Sequence, residues 1–228
     1  MSSSLPANVH VSTHPALLAK LSQLRSKSAD SKEVKSLVHD ISLILSCEAL
    51  AGALTPVEGP KDATPIGYEY KTTEASPDTM CIVPILRSGL AMVEGVQTIL
   101  PRLVPVHHLG MYREPSTLDP VEYYNNLPQQ VPGNDGSSPS SLAILVDPVI
   151  ATGGTCAAAI QTLREWGAKH ILILSVVGAE EGVRKVAAEW PEGAELWIAG
   201  VDPELTKDGM LNPGLGDVGD RLFLTLGK

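Results

Sequence analysis

The chain has 228 residues, 43% of them hydrophobic and 19% charged, which suits one large domain or two small ones and excludes disorder throughout. It carries 17 basic and 26 acidic residues, a formal net charge of −9, with no basic run or face of the kind a nucleic-acid binder uses. A phosphorylated small molecule stays open as a ligand, because backbone N–H groups, a few arginines and a metal ion can hold phosphate inside an acidic protein.

Cys47, Cys81 and Cys156 are odd in number and far apart, so neither a disulfide framework nor a zinc site is expected. The greasiest runs, Leu142 to Val146 and Ile171 to Leu174, fall well short of the ~18 apolar residues a membrane span needs. Met1-Ser2-Ser3-Ser4 has neither a secretory signal pattern nor a glycine for myristoylation. These features set the expectation of a reduced, cytoplasmic protein.

Two helices open the chain. Leu17, Leu18, Leu21 and Leu24 share one helical face, with Thr13 as the N-cap and Pro15 near the first turn. Ser31 caps a second helix, whose stripe is Val34, Leu37, Val38, Ile41, Ile44 and Leu45. Core packing is the simplest use of both stripes, and subunit contact is the alternative.

From Met80 onward, short apolar runs alternate with amphipathic segments of helix length. The pairs are Met80 to Val83 with Gly89 to Leu100, Leu142 to Val146 with Thr155 to Trp166, and Ile171 to Val177 with Glu181 to Trp190; Leu196 to Ala199 is a further strand. This alternation predicts an α/β fold with βαβ crossovers, a mostly parallel central sheet and helices on both faces. Ligands in such sheets sit beyond the carboxyl ends of the strands. Two segments break the rhythm: Met111 to Leu127, polar and aromatic, and Pro128 to Ser141, rich in Pro, Gly and Ser, which is expected to be a flexible connector.

The sharpest motif is Leu142-Ala-Ile-Leu-Val-Asp147-Pro-Val-Ile-Ala-Thr152-Gly153-Gly154-Thr155. A strand delivers an acidic residue at its carboxyl end, and a Thr-Gly-Gly-Thr loop then runs into a helix beginning near Cys156. The glycines allow a tight turn and close approach to an anion, the threonines offer hydroxyls, and the helix start adds free N–H groups. A carboxylate at Asp147 is unsuited to phosphate and suited to sugar hydroxyls. The motif is neither a Walker loop nor a dinucleotide fingerprint.

This unit resembles the phosphoribosyl-pyrophosphate (PRPP) loop of the type I phosphoribosyltransferases, and its Asp-Pro form resembles the uracil phosphoribosyltransferases. Val83-Pro-Ile-Leu-Arg87-Ser-Gly-Leu-Ala-Met-Val-Glu-Gly95 is similar to that family's pyrophosphate-side loop. Met111-Tyr-Arg113-Glu-Pro-Ser-Thr-Leu-Asp-Pro-Val-Glu-Tyr-Tyr124 is similar to its hairpin over the site, and Asn212-Pro-Gly-Leu-Gly-Asp217-Val-Gly-Asp-Arg221 to its uracil loop. The matches keep the family's order between Met80 and Phe223.

The resemblance implies a single type I phosphoribosyltransferase domain over residues 1–228, with an N-terminal helical segment (1–55), a mobile hairpin and connector (111–141) and a uracil-binding C-terminal segment (200–228). It implies that uracil and PRPP give UMP and diphosphate, in pyrimidine salvage, without a covalent intermediate. PRPP would be held by Arg87, Arg113, Asp147, Pro148, Val149, Ile150, Ala151, Thr152, Gly153, Gly154, Thr155 and Asp217, and uracil by Leu211, Gly216, Asp217 and Val218. Arg87, Arg113, Asp147 and Asp217 are the catalytic candidates. Mg²⁺ would be held mainly by PRPP and water, with no direct protein ligand. A homodimer or homotetramer and a GTP effector are further implications.

Some residues admit two readings. Asp217 sits near PRPP and metal in the family pattern, and among glycines it also suits a turn. Tyr123 and Tyr124 would anchor the hairpin or pack against a neighbouring subunit or the core. His107-His108 is expected to be structural, and Glu180-Glu181 to complement a helix start. Asn126, Glu180, Met210 and Asn212 depart from the family pattern, which has Lys, Pro, Tyr and Val there. A phosphoribosyltransferase for another base and a non-catalytic regulatory relative are the rival readings.

Overall fold

The computed structural model describes residues 4–114, 120–129 and 140–225, apart from the side chain of Arg113. Strand β1 (Val9–Val11) leads to helices α1 (Pro15–Leu24) and α2 (Ser31–Ala53), then to a hairpin of β2 (Thr55–Ala63) and β3 (Glu69–Ser76). Strand β4 (Met80–Leu86), helix α3 (Leu90–Ile99) and a second hairpin of β5 (Leu109–Arg113) and β6 (Pro120–Asn125) follow. Next come β7 (Leu142–Val146), β8 (Val149–Ile150), α4 (Gly154–Trp166), β9 (His170–Ala179), α5 (Glu180–Glu189) and β10 (Ala194–Asp202). The chain closes with the short pair β11 (Glu204–Leu205) and β12 (Leu211–Asn212), and α6 (Val218–Phe223).

The main sheet runs β1-β10-β9-β7-β4-β5-β6, with β8 added beside β9. Its pairs are parallel except β5 with β6. The central strands are buried on both faces, which is why they read as unbroken apolar runs. Met80 and Ile82 of β4 and Leu142, Ile144 and Val146 of β7 face one core with α1, α2, α3 and α6. Cys81, Val83 and Ile85, with Ala143 and Leu145, face the other core with α4 and α5. The result is a three-layer α/β architecture.

The helix starts differ from expectation. His14 occupies the N-cap of α1 without a side-chain cap, while Ser12 Oγ accepts from the His14 N–H at 3.2 Å. Asp30, not Ser31, caps α2 through a reciprocal box: Asp30 Oδ1 accepts from the Glu33 N–H and Glu33 Oε2 from the Asp30 N–H, both at 2.9 Å. Ser31 Oγ instead donates to the Leu222 carbonyl of α6 at 3.0 Å. Leu18 is 44% exposed, off the buried stripe of Leu17, Leu21 and Leu24. Helix α2 is the one helix among the described residues long and apolar enough to cross a membrane. Here its stripe is covered by α1, α3, α6 and the sheet.

The hairpin β2–β3 forms its own two-stranded sheet, and Ile66 and Tyr68 at its tip are 81% and 72% exposed. The tip of the second hairpin (115–119) and most of the connector (130–139), expected to be mobile, lie outside the described residues.

Candidate active site

Strands β4 and β7 are neighbours whose connections depart in opposite directions: β4 leads through α3 to β5, and β7 leads through α4 to β9 and then β10. Such a switch point opens a crevice beyond the carboxyl ends of the two strands. Asp147 stands at the end of β7 and is 7% exposed. Across the crevice, Ser88 Oγ donates to Asp147 Oδ1 at 3.2 Å and so ties the loop after β4 to the loop after β7. The Leu86–Arg87 and Asn212–Pro213 peptide bonds, one on each side of the crevice, are cis.

A small cradle of about 40 Å³ is formed by Asp147, Val149, Ile150, Ala151, Thr152, Gly153, Thr155 and Cys156. Gly153 makes the turn into α4 with φ +77°, a region L side chains rarely adopt. The first N–H groups of α4 are left open at the cradle, as at any helix start. Pro148 has a different job: it is buried, and its carbonyl accepts from the Val176 and Val177 N–H groups at 3.1 and 3.0 Å.

The cradle opens into a larger cleft of about 290 Å³. Asp147, Val149, Ala151 and Thr155 belong to both. The opposite wall carries Leu211, Gly216, Asp217 and Val218, the four residues expected to meet a base. Tyr112 of β5 and Met210 also line the cleft. Its roof is the β5–β6 hairpin, where Tyr112 and Tyr123 lie ring to ring at 6.2 Å. Tyr124 is 46% exposed. Asn126 closes the base of this hairpin, its Oδ1 accepting from the His108 N–H at 2.6 Å.

The two arginines are placed differently. Arg87 is at the rim beside α6, Nη2 3.7 Å from Asp220 Oδ1, with its side chain half exposed. The Arg113 backbone pairs with Pro120, and its side chain is outside the described residues. Asp217 is the N-cap of α6, its Oδ1 accepting from the Asp220 N–H at 2.9 Å, so the turn role is realised in this state. No group of three or more His, Cys, Asp or Glu side chains gathers as a metal cage among the described residues.

Several supporting residues escaped the sequence reading. Arg25 makes a two-pronged contact with Asp202, Nη2 to Oδ1 at 2.6 Å and Nη1 to Oδ2 at 3.0 Å. The same pair grips Gly214: its N–H donates to Asp202 Oδ2 at 2.8 Å, and its carbonyl accepts from Arg25 Nη1 at 2.9 Å. Arg221 donates to the Leu24 and Leu215 carbonyls, both at 2.8 Å, and burial lowers its pKa. The loop between β12 and α6 is thereby fixed from both ends. Asp202, at the end of β10, had a usable signal, the strand-terminal acid that exposed Asp147; Arg25 had none.

The remaining expectations are also located. His107 packs edge-on against Trp166 at 5.7 Å, and burial lowers its pKa. Glu180 pairs with Arg184 one turn on at 2.7 Å. Both therefore have structural work.

A parallel sheet with an acid at the end of β7, a Thr-Gly-Gly-Thr cradle and a hairpin roof defines a type I phosphoribosyltransferase fold. A family model described as uracil phosphoribosyltransferase matches residues 11–225. The uracil phosphoribosyltransferase of Finegoldia magna is 41% identical over 219 residues, covering 96% of this chain and 99% of that protein. That of Clostridium botulinum (strain Eklund 17B / Type B) is 40% identical over 212 residues, 93% of this chain and 96% of that protein. Among solved structures, AQ2163 protein from Aquifex aeolicus superposes with a TM-score of 0.84 at 27% identity, covering 95% of this chain and 98% of that one. The chain belongs to the uracil phosphoribosyltransferase family.

Proposed function

We propose that this chain transfers the phosphoribosyl group of PRPP to uracil, giving UMP and diphosphate in pyrimidine salvage. One observation carries the reading: the phosphate-sized cradle and the base-sized cleft are continuous through Asp147, Val149, Ala151 and Thr155. The 5′-phosphate sits in the cradle on the open N–H groups of α4 and the threonine hydroxyls. Asp147 accepts hydrogen bonds from the ribose hydroxyls, and Ser88 holds one of its oxygens in place.

In the reaction the bond between C1 of the ribose and the diphosphate oxygen breaks, its electron pair leaving with the diphosphate, the bond from C1 to N1 of uracil forms, and the N1 proton is released to solvent. Positive charge builds on the ribose and negative charge on the leaving diphosphate. Arg87, loosely paired with Asp220 at the rim, and Arg113 supply guanidinium forks to the diphosphate. Backbone groups of Leu211, Gly216, Asp217 and Val218 meet the alternating C=O and N–H edge of uracil. Cytosine would set a donor against a donor, and a site built for hydrogen bonds rejects such a mismatch strongly. The hairpin carrying Tyr112 and Tyr123 roofs the cleft against water.

The donor set suits Mg²⁺. Asp147 and Asp217 both line the cleft, too few carboxylates for a protein cage, which suits an ion held mainly by PRPP oxygens and water. Bound there, the ion would offset charge on the diphosphate. A cytoplasmic setting accords with the three free thiols. Association into a homodimer or homotetramer accords with the outlying β2–β3 hairpin and its exposed Ile66 and Tyr68. The reading is tested by following diphosphate release from PRPP and Mg²⁺ with and without uracil. Uracil-dependent release is expected, and release that ignores uracil would refute it.

A further inference from the structure

We propose that Lys185 is a further anion-binding residue of this site and supplies a cation to the 5′-phosphate of the phosphoribosyl group; this rests on the reading of residues 147–155 as the phosphoribosyl cradle. The first turn of α5 lies against the back of that cradle at a distance only glycine permits. A Cβ on Gly182 would stand 2.0 Å from the Ala151 carbonyl oxygen and 2.9 Å from the Gly153 nitrogen, and one on Gly153 would stand 2.5 Å from the Gly182 carbonyl oxygen. Lys185 follows Gly182 by three positions and so shares its side of the helix.

The consequence is visible in front of Gly154, the first residue of α4. The point a Cβ would occupy there is 3.7 Å from Lys185 Nζ, 3.8 Å from Thr152 Oγ1 and 3.7 Å from Pro120 Cδ. An ammonium, a hydroxyl and the roof hairpin thus gather around Gly154, which lies between the cradle residues Gly153 and Thr155. Among the described residues Lys185 has no ion pair or side-chain hydrogen bond. Glu181, one turn back, is not within ion-pair distance of it, whereas its neighbour Arg184 is paired with Glu180 at 2.7 Å. In a chain of net charge −9, an unpaired ammonium beside a helix start is matched in charge and reach to a phosphate. The diphosphate side of the cleft, near Arg87 and α6, is a separate region.

The test titrates UMP, uridine and diphosphate into the wild type, Lys185→Ala and Lys185→Arg by calorimetry, with KM for PRPP and for uracil measured in parallel. Lys185 is exposed, so both variants are expected to fold, which a thermal melt verifies. The expected result is a roughly tenfold loss of UMP affinity and a matching rise in KM for PRPP in Lys185→Ala, as for one charge-assisted hydrogen bond. Lys185→Arg should recover most of it, while uridine, diphosphate and KM for uracil stay unmoved. Unchanged UMP affinity in Lys185→Ala, or a loss of the same size for uridine, would overturn the proposal. A wild type that binds no UMP would instead defeat the cradle reading itself, before any variant is compared.

Discussion

Arg25 and Asp202 are 177 positions apart in the chain and 2.6 Å apart in the fold, and between them they hold Gly214 at the edge of the cleft. Asp202 is almost fully buried, so its carboxylate depends on this partner. Arg25→Ala is expected to cost about 2–4 kcal/mol. At about 2–4 °C per kcal/mol for a domain of this size, the melting temperature falls by roughly 5–15 °C. In the surviving folded enzyme KM for uracil should rise more than KM for PRPP, which steady-state kinetics measures.

Gly153 and Gly182 interlock the cradle with α5. Gly153→Ala puts a side chain at φ +77° and 2.5 Å from the Gly182 carbonyl oxygen. The loop must move to relieve it. On the scale of misplacing a bound reactant, kcat/KM for PRPP should fall on the order of 100-fold. The opposite wall of the cleft is untouched, so inhibition competitive with uracil by uracil analogues lacking phosphate is expected to persist.

Asp147→Asn keeps the shape of the cradle and removes a carboxylate that accepts from Ser88 at 3.2 Å. The amide cannot accept on both of its heteroatoms, so on the proposed reading the ribose hydroxyls lose a partner. A fall in kcat/KM of roughly 100-fold or more is expected, with a small change in melting temperature.

The thiols separate by burial. Burial, with the negative charge of Asp147 adding to it, holds the Cys156 thiol well above its usual range, and burial raises Cys81. Cys47 is exposed. Alkylation at mildly alkaline pH is therefore expected to label Cys47 in the folded protein, and Cys81 and Cys156 after unfolding, read by mass spectrometry. Rapid labelling of Cys156 in the folded protein would contradict the packing described.

Asp40 is held below its ordinary value of 3.8, first by the hydrogen bond from Lys20, with the hydrogen bond to His39 and the charges of Lys20 and His39 adding to it against a desolvation penalty. Its folded pKa is depressed, so its contribution is fully present above the unfolded value and is lost as pH falls through the folded one. The pair is partly exposed, so the effect is small, about 0.5 kcal/mol. Asp40→Asn should flatten the acid limb of stability below about pH 4 by that amount.

The parallel sheet was legible because β4, β7 and β9 are buried on both faces and stand out as unbroken apolar runs between amphipathic helices. Strand ends were not, since β10 continues past Ala199 through Gly200 and Val201 to Asp202. The β2–β3 hairpin left no trace because it has no apolar face to alternate. Its cross-strand contacts are Lys61 with Glu69 at 3.1 Å and Lys71 with Glu58 at 2.7 Å, set among Pro and Gly. The cradle was readable as a local motif, since strand, acid and loop are contiguous. Its supports act across the fold: Ser88 and Arg221 lie inside the quoted motifs without their partners being readable there, and Arg25 and Gly182 carry no local signature.

On the proposed reading, base and phosphoribosyl group meet in one cleft and the base is uracil. The most direct test supplies radiolabelled uracil, cytosine, orotate and hypoxanthine separately, each with PRPP and Mg²⁺, and identifies the nucleotide formed. UMP from uracil, with no nucleotide from the other three bases, is the predicted result. No nucleotide from uracil, in a protein that binds PRPP by calorimetry, would contradict it.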